Sequence, residues 1–170
     1  MKILMIYPTY PETFWSYNYA LKFISKKASL PPLGLLTVAA LLPVDWEKKL
    51  VDLSAGDNLQ DQDIKWADYI FIGAMSIQRK SSRELINRCK GLGATLVAGG
   101  PLFTASYHDF EDVDYLVLNE AEVTLPEFLN DLQKGRTKRI YTSDNQADML
   151  NSPVPAWELI DNLNKYNSLL

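Results

Sequence analysis

Short apolar runs alternate with polar or amphipathic stretches along this chain. The runs have the length of buried strands and are bounded by turn-forming or polar residues, at 2–7, 47–53, 69–75, 95–98 and 115–118. Stretches with helical spacing or helix-boundary signals separate them, at about 13–25, 33–42, 61–66, 82–92 and 120–132. Such alternation predicts a parallel sheet with helices on both faces. Residues 139–142 are a candidate sixth strand at the sheet edge.

Individual residues predict where several helices begin. Thr13 or Ser16 would cap the first helix, and Ser81 or Ser82 would cap the fourth. The second helix, at 33–42, is apolar on every side, which predicts that it is buried.

Composition narrows the class of protein. The chain has 170 residues, of which 47% are hydrophobic, so a single domain can bury a sizeable core. The net charge is −4, the pI is about 5.0, and no basic stripe is visible, which argues against nucleic acid as a partner. With one cysteine, neither a disulfide within the chain nor a cysteine-based metal site can form.

No segment favours a targeting or membrane function. The N-terminal apolar segment is broken by Pro8 and is too short for a signal peptide. The most apolar run, 30–44, is interrupted by prolines and is shorter than the ~20 residues that cross a bilayer. We therefore expect a cytoplasmic protein with no membrane partner.

Candidate binding residues follow three of the predicted strands, at 74–76, 99–101 and 119–122. If the strand order is flavodoxin-like, these strand ends lie side by side, where ligands of open α/β sheets bind. Gly99 and Gly100, which lack a Cβ, are expected to form the floor of such a site. The carboxylates that begin the following helix would either bind the ligand or only complement the helix dipole.

The sequence lacks the residue patterns of several common nucleotide-binding, phosphoryl-transfer and catalytic sites. There is no GxxxxGK phosphate loop and no GxGxxG after the first strand, and the third strand ends without a phosphorylatable aspartate. The only histidine, His108, is expected in an exposed loop with Tyr107 and Asp109, and no nucleophile–base pair is visible. We therefore predict neither a catalytic residue nor a metal ligand.

Asp52 ends the second strand, where pocket residues tend to lie.

The aromatic residues between positions 7 and 23 have two interpretations. They either cover one end of the core or line part of a ligand pocket, and the sequence favours neither.

A series of motifs carries a resemblance over nearly the whole chain. In order they are Tyr-Pro at 7–8, Phe-Trp-Ser at 14–16, Pro-Pro-Leu-Gly-Leu at 31–35, Ala-Met-Ser-Ile-Gln at 74–78, Gly-Gly-Pro-Leu-Phe-Thr at 99–104, Asn-Glu-Ala-Glu at 119–122, and Pro-Val-Pro-Ala-Trp-Glu-Leu-Ile at 153–160. With this order and spacing, the chain resembles the N-terminal cobalamin (B12)-binding domain of B12-dependent radical S-adenosylmethionine (SAM) proteins.

The resemblance implies a Rossmann-like, flavodoxin-like fold: a doubly wound parallel sheet of five strands, with the corrin ring over the strand ends. Ser76 would contact the nucleotide tail of the cofactor, and the two glycines would let that tail pass the sheet. The expected cobalamin-binding residues are Pro32, Leu33, Ser76, Gln78, Gly99, Gly100, Pro101, Glu120 and Glu122.

Two departures from related proteins refine this expectation. Residues 8–32 contain no histidine, which excludes the cobalt-ligating Asp-x-His-x-x-Gly motif of methionine-synthase-type domains and implies five-coordinate or water-bound cobalt. The Cys-x-x-x-Cys-x-x-Cys motif is also absent, and one cysteine cannot hold a [4Fe–4S] cluster. The cluster and S-adenosylmethionine would then belong to a radical SAM domain following in cis. Residues 1–142 would form the binding domain and 143–170 a linker or strap, in a fragment of a longer protein.

The leading hypothesis is a domain that presents cobalamin to a radical SAM barrel for methyl transfer or another radical rearrangement. Alternatively, the domain keeps the fold without the cofactor and serves as an interaction or substrate-covering module. In that case Tyr10, Trp15 or Phe103 would fill the groove. A third class, an enzyme using another nucleotide, needs a phosphate anchor that the sequence lacks.

Overall fold

The computed structural model describes residues 1–12 and 18–167, which contain one six-stranded parallel sheet with helices on both faces. The strands are β1 (Lys2–Tyr7), β2 (Glu47–Asp52), β3 (Tyr69–Gly73), β4 (Leu96–Gly99), β5 (Tyr115–Val117) and β6 (Ile140–Tyr141). They are ordered β2-β1-β3-β4-β5-β6, and every neighbouring pair is parallel. The Rossmann-like prediction is confirmed, with the flavodoxin-like order and the sixth strand at the edge.

Helices connect successive strands and cover both faces of the sheet. They are α1 (Asn18–Phe23), α2 (Leu33–Leu41), α3 (Asp61–Trp66), α4 (Arg79–Gly91), α5 (Pro101–Ser106) and α6 (Ala121–Gln133). Among the described residues, none of the helices is long and apolar enough to cross a membrane.

The two faces of the sheet follow from the period-two alternation of side chains along each strand. In β1, Ile3 and Met5 face the layer formed by α2 and α6, whereas Leu4 and Ile6 face α3, α4 and α5. All four side chains are fully buried. Because helices cover both faces, the four inner strands are mostly apolar, whereas the edge strand β2 has charged residues at four of its six positions.

Two helix starts differ from the prediction. Helix α4 begins at Arg79, before both serines expected to cap it. Ser81 instead donates its hydroxyl to the carbonyl of Thr9 or Gln78, and Ser82 is buried, with no hydrogen-bond partner for its hydroxyl among the described residues. The caps predicted for the first helix, Thr13 and Ser16, lie outside the described residues.

The segment after Gly100 is more ordered than the predicted loop. It forms α5 with a proline at its first position, followed by a single 3-10 turn over Tyr107–Asp109. The prediction missed this helix because its six residues show no hydrophobic period and no side chain caps its start, whereas the equally short α3 begins with acidic residues. His108 is exposed in that turn and stacks on Tyr107.

The C-terminal region packs onto the domain over much of its length. It contains 3-10 turns at Met149–Asn151, Trp157–Leu159 and Leu163–Lys165. Ala156, Ile160 and Tyr166 are buried. The predicted division of the chain at residue 142 stays a prediction.

The backbones of three strands come unusually close at their carboxyl ends. Gly73, Gly99 and Val117 are neighbours in register across β3, β4 and β5. A Cβ on Gly99 would lie 2.5 Å from the carbonyl oxygen of Val117. Gly100 has φ +91°, and a Cβ there would lie 3.1 Å from the carbonyl oxygen of Ala74. Both glycines are therefore required by the sheet itself.

We expect Gly99→Ala to lower the free energy of unfolding by about 1–3 kcal/mol, because the added methyl group must push two strands apart. Urea denaturation measures this change. Gly91→Ala is the matched control: its Cβ would meet nothing within 4 Å at the end of a helix, so stability should stay unchanged or rise by up to about 1 kcal/mol. Equal stability of the two variants would contradict the backbone contact.

The single cysteine should be chemically silent in the native protein. Cys89 is fully buried in α4, and burial raises the pKa of its thiol to about 11. Because the thiolate is the reactive form, we expect no reaction with a disulfide reagent at pH 8 until the chain is unfolded by denaturant. Stoichiometric labelling without denaturant would show that α4 opens locally.

Candidate functional site

A cavity of about 370 Å³ opens at the carboxyl ends of β3, β4 and β5. It lies between these strands and the first turns of α2 and α6, with Gly99 and Gly100 in its lining. This is the position where open α/β sheets bind ligands. The strand order therefore brings together the segments expected to form the site.

The walls of the cavity are apolar. They combine side chains from α2, from the three strands and from α6: Leu35, Val38, Phe71, Val97, Val117 and Leu125. Helix α2 has apolar residues all round because it contacts a different neighbour on each side. Ala39 packs on the sheet, Leu36 packs on the C-terminal region, and Val38 borders the cavity.

Polar groups are concentrated at the mouth. Tyr7 ends β1 and borders the cavity, and its hydroxyl lies 2.7 Å from the hydroxyl of Tyr10. Burial, followed by that hydrogen bond, raises the pKa of Tyr7, so its phenol stays protonated at neutral pH. Thr37 also borders the cavity and donates its hydroxyl to the carbonyl of Leu33 within α2.

Asn119 turns the chain from β5 into α6 with a positive φ of 61°. Asparagine tolerates this conformation better than most residues. Its backbone N–H donates to the Thr104 hydroxyl, and its side-chain amide donates to the Thr142 hydroxyl and the Ser143 carbonyl. The residue therefore fixes the relative positions of α5, α6 and the chain after β6.

The carboxylates of Glu120 and Glu122, at the start of α6, accept hydrogen bonds from the chain that follows β6. Glu120 accepts a hydrogen bond from the backbone N–H of Ala147. Glu122 accepts one from the Ser152 hydroxyl at 2.8 Å. Both residues border the cavity, yet each has a hydrogen-bond partner on the chain that follows β6.

The structure brings together seven of the nine residues expected to bind cobalamin. The residues that border the cavity are Pro32, Leu33, Gly99, Gly100, Pro101, Glu120 and Glu122. Ser76 lies outside it, exposed in the 3-10 turn Ser76–Gln78. Gln78 is fully buried, where its side-chain amide donates to the carbonyl of Pro8 and accepts from the backbone N–H of Met75. Both atoms of its amide group therefore form hydrogen bonds with backbone atoms near the site.

Two other residues considered in the sequence lie away from the cavity. Asp52 is fully buried beneath the C-terminal region, where it accepts hydrogen bonds from the backbone N–H groups of Ser54 and Ala55 and from the Tyr166 hydroxyl. Burial raises the pKa of its carboxyl, and the bond from Tyr166 opposes that rise. His108 does not border the cavity either.

Sequence reasoning missed most of the walls. Thr37 and Val38 border the cavity without having been singled out. Tyr7, one of the aromatic residues for which two interpretations were open, also borders it, as does Gly34 of the motif at 31–35. The available signal was that α2 is apolar on all sides. This pattern indicated that every side of the helix is covered, but it did not indicate whether protein or a ligand covers each side. In the sequence, an apolar residue that faces a sheet cannot be distinguished from one that faces a ligand pocket.

The arrangement is suited to binding a small molecule. Apolar walls with a few polar groups at the mouth are typical of small-molecule sites. No group of three histidine, cysteine or acidic side chains that could hold a metal ion occurs in the described part of the chain. The cavity lining contains no histidine, cysteine or lysine, and its two carboxylates, Glu120 and Glu122, accept hydrogen bonds from the chain that follows β6.

Comparison with known proteins finds two methylating enzymes. The chain is 38% identical to an uncharacterised methyltransferase of Synechocystis sp. over 171 aligned residues, which cover 99% of this chain and 32% of that protein. It is 28% identical to a hopanoid C-2 methylase of Rhodopseudomonas palustris, covering 94% of this chain and 31% of the relative. No family model matches the chain. The chain therefore spans about a third of the length of each relative and is similar to part of a methylase-type protein.

Proposed function

We propose that this domain binds cobalamin and presents it to a radical SAM domain that follows in cis in a longer methylase. The observation that carries this proposal is the apolar cavity at the carboxyl ends of β3 to β5, bordered by the glycine pair and by α2 and α6. The sequence resemblance and the position of the cavity point to the same segments. When bound, cobalamin supplies a cobalt centre that carries and transfers a methyl group.

The size of the cavity fits part of such a ligand. Its volume is near the lower end of the ~300–1,000 Å³ that small-molecule pockets span. A corrinoid is much larger, so the cavity would take the flat aromatic base of the nucleotide tail. The walls offer this base apolar contacts, and Gly99 and Gly100 border the cavity beside them.

The surface around the mouth suits the remainder of the ligand. Leu33, Met75 and Ile77 leave 37%, 43% and 53% of their surface exposed at or next to the ends of α2 and β3. Exposed apolar side chains grouped beside a cavity commonly mark a binding surface. The corrin ring would cover them, and the cobalt would have no protein imidazole from this cavity because His108 is the only histidine.

The relatives support the larger context. Both are named as methylating enzymes, and this chain matches only about a third of each. A binding domain joined to a separate catalytic domain accounts for an apolar cavity whose lining contains no histidine, cysteine or lysine. The [4Fe–4S] cluster and S-adenosylmethionine would be held by that further domain.

The structure also bears on the cofactor-free alternative. Phe103 is fully buried in the layer on the opposite face of the sheet, and Tyr10 lies outside the cavity lining. Trp15, the third side chain expected to fill the groove, lies outside the described residues. The first two aromatic side chains leave the cavity open, which supports a ligand.

We expect the purified domain to bind hydroxocobalamin with a change in its visible spectrum and co-elution on gel filtration. Gly34→Phe should raise the dissociation constant at least about tenfold, because Gly34 borders the cavity and its substituent would occupy space that the tail needs. Gly91→Phe is the matched control: it also replaces a helical glycine with open space around it, but away from the cavity, and should bind like the unmodified domain.

A corrinoid without the nucleotide tail, cobinamide, separates the two parts of the proposal. It should bind more weakly than hydroxocobalamin, and Gly34→Phe should not weaken it further. Absence of binding by the unmodified domain at high micromolar hydroxocobalamin would contradict cofactor binding. Equal affinity for the two corrinoids would contradict the placement of the tail in the cavity.

A further inference from the structure

The C-terminal segment, residues 156–167, packs on the outer side of the helix that forms one cavity wall. The backbone N–H of Ala156 donates to the carbonyl of Leu36 in α2. Farther along, Ile160 and Tyr166 are buried in a cluster with Leu36 and Ala28. This cluster lies apart from the two layers that cover the faces of the sheet.

A buried hydrogen bond fixes the end of this segment. The Tyr166 hydroxyl donates to the Asp52 carboxylate at 2.8 Å, and both side chains are at most 1% exposed. Beside it, Lys165 forms an ion pair with Asp57 at 2.8 Å, with the lysine side chain only 13% exposed. Since a buried carboxylate without partners is costly, the bond from Tyr166 strongly favours the docked segment.

The same segment holds the chain that leads into α2. The backbone N–H groups of Lys27 and Ala28 both donate to the carbonyl of Lys165, and Asn167 donates to the carbonyl of Ala28. Ala28 and Tyr166 thus form a short parallel bridge. Residues 26–28 have no strand of their own, so this bridge supplies the backbone partners that a sheet would otherwise provide.

These contacts converge on the wall of the cavity. Pro32 and Leu33, which border it, follow the bridge by a few residues, and Leu35 faces it. The next residue, Leu36, is fully buried on the opposite side against the C-terminal segment. The start of α2 is therefore held from both sides, by the sheet and by residues 156–167.

We propose that Tyr166 and Asp52 are positioning residues: through the C-terminal segment they hold the wall formed by residues 28–36 in the conformation that binds the ligand. Neither residue borders the cavity, so they act through the backbone of Ala28 and the packing of Leu36. The effect on ligand affinity rests on the proposed cobalamin binding, whereas the effect on the wall does not.

The test compares Tyr166→Phe with Tyr141→Phe by amide hydrogen exchange without ligand. Tyr141 is also buried with its hydroxyl hydrogen-bonded to an aspartate, Asp131, but it lies on β6 away from the cavity. In Tyr166→Phe we expect amides in 28–36 to exchange about tenfold faster relative to amides in β4, because a hydrogen bond to a charged group contributes about that factor. In Tyr141→Phe that ratio should stay unchanged.

Binding provides the second measurement. The dissociation constant for hydroxocobalamin should rise at least about threefold in Tyr166→Phe and stay unchanged in Tyr141→Phe. If Tyr166→Phe fails to fold, Lys165→Met removes the neighbouring ion pair with Asp57 and the contact of the ammonium with the Tyr166 ring, and it should shift both readouts in the same direction by a smaller factor.

The outcomes separate the two proposals. Unchanged relative exchange in 28–36 would overturn the positioning role even if cobalamin binds to the unmodified domain. Faster exchange in a domain that binds no cobalamin would support the positioning role and contradict the proposed ligand. Faster exchange with unaltered affinity would overturn the claim that this wall must be held for binding.

Discussion

The close approach of backbones at the carboxyl ends of β3, β4 and β5 is the constraint on which the site depends. Gly99 allows the Val117 carbonyl to pass where a side chain would stand, and Gly100 then turns the chain with a positive φ. The turn starts α5 on one face of the sheet, while the cavity opens on the other. Backbone atoms of Val117 and Ala74 fill the positions that the two glycine side chains would take, so the glycines shape the cavity through the strand ends that they bring together.

The parallel sheet with helices on both faces could be predicted from the sequence, because alternation of short apolar runs with helical segments allows few other folds. The strand order followed from the resemblance that the motifs carry. Helix α5 was missed, since neither a hydrophobic period nor a capping side chain marks its six residues. The strand ends that form the site could be predicted, because glycines and acidic residues at such positions are recognisable in the sequence. The contribution of Thr37 and Val38 to the cavity wall could not be predicted, because the sequence of an apolar helix does not show which of its sides lacks a protein partner.

Hydrogen bonds between residues distant in the sequence could not be predicted either. The hydrogen bond between Asp52 and Tyr166 joins residues 114 positions apart, and the bond between Glu122 and Ser152 spans 30. Each residue alone fits a simpler interpretation, Asp52 as a pocket residue at a strand end and Glu122 as a charge at a helix start. Only the folded chain shows that both tether the C-terminal region, which the sequence presents as polar linker and extended strap.

The burial of the single cysteine in α4 has a practical consequence for studying domain motion. Because Cys89 is fully enclosed, a thiol introduced elsewhere on the surface would be the one position that a fluorophore or spin label modifies in the folded chain. No native residue has to be removed to obtain this selectivity. The movement of α2 against the sheet can therefore be followed by spectroscopy in an otherwise unmodified protein.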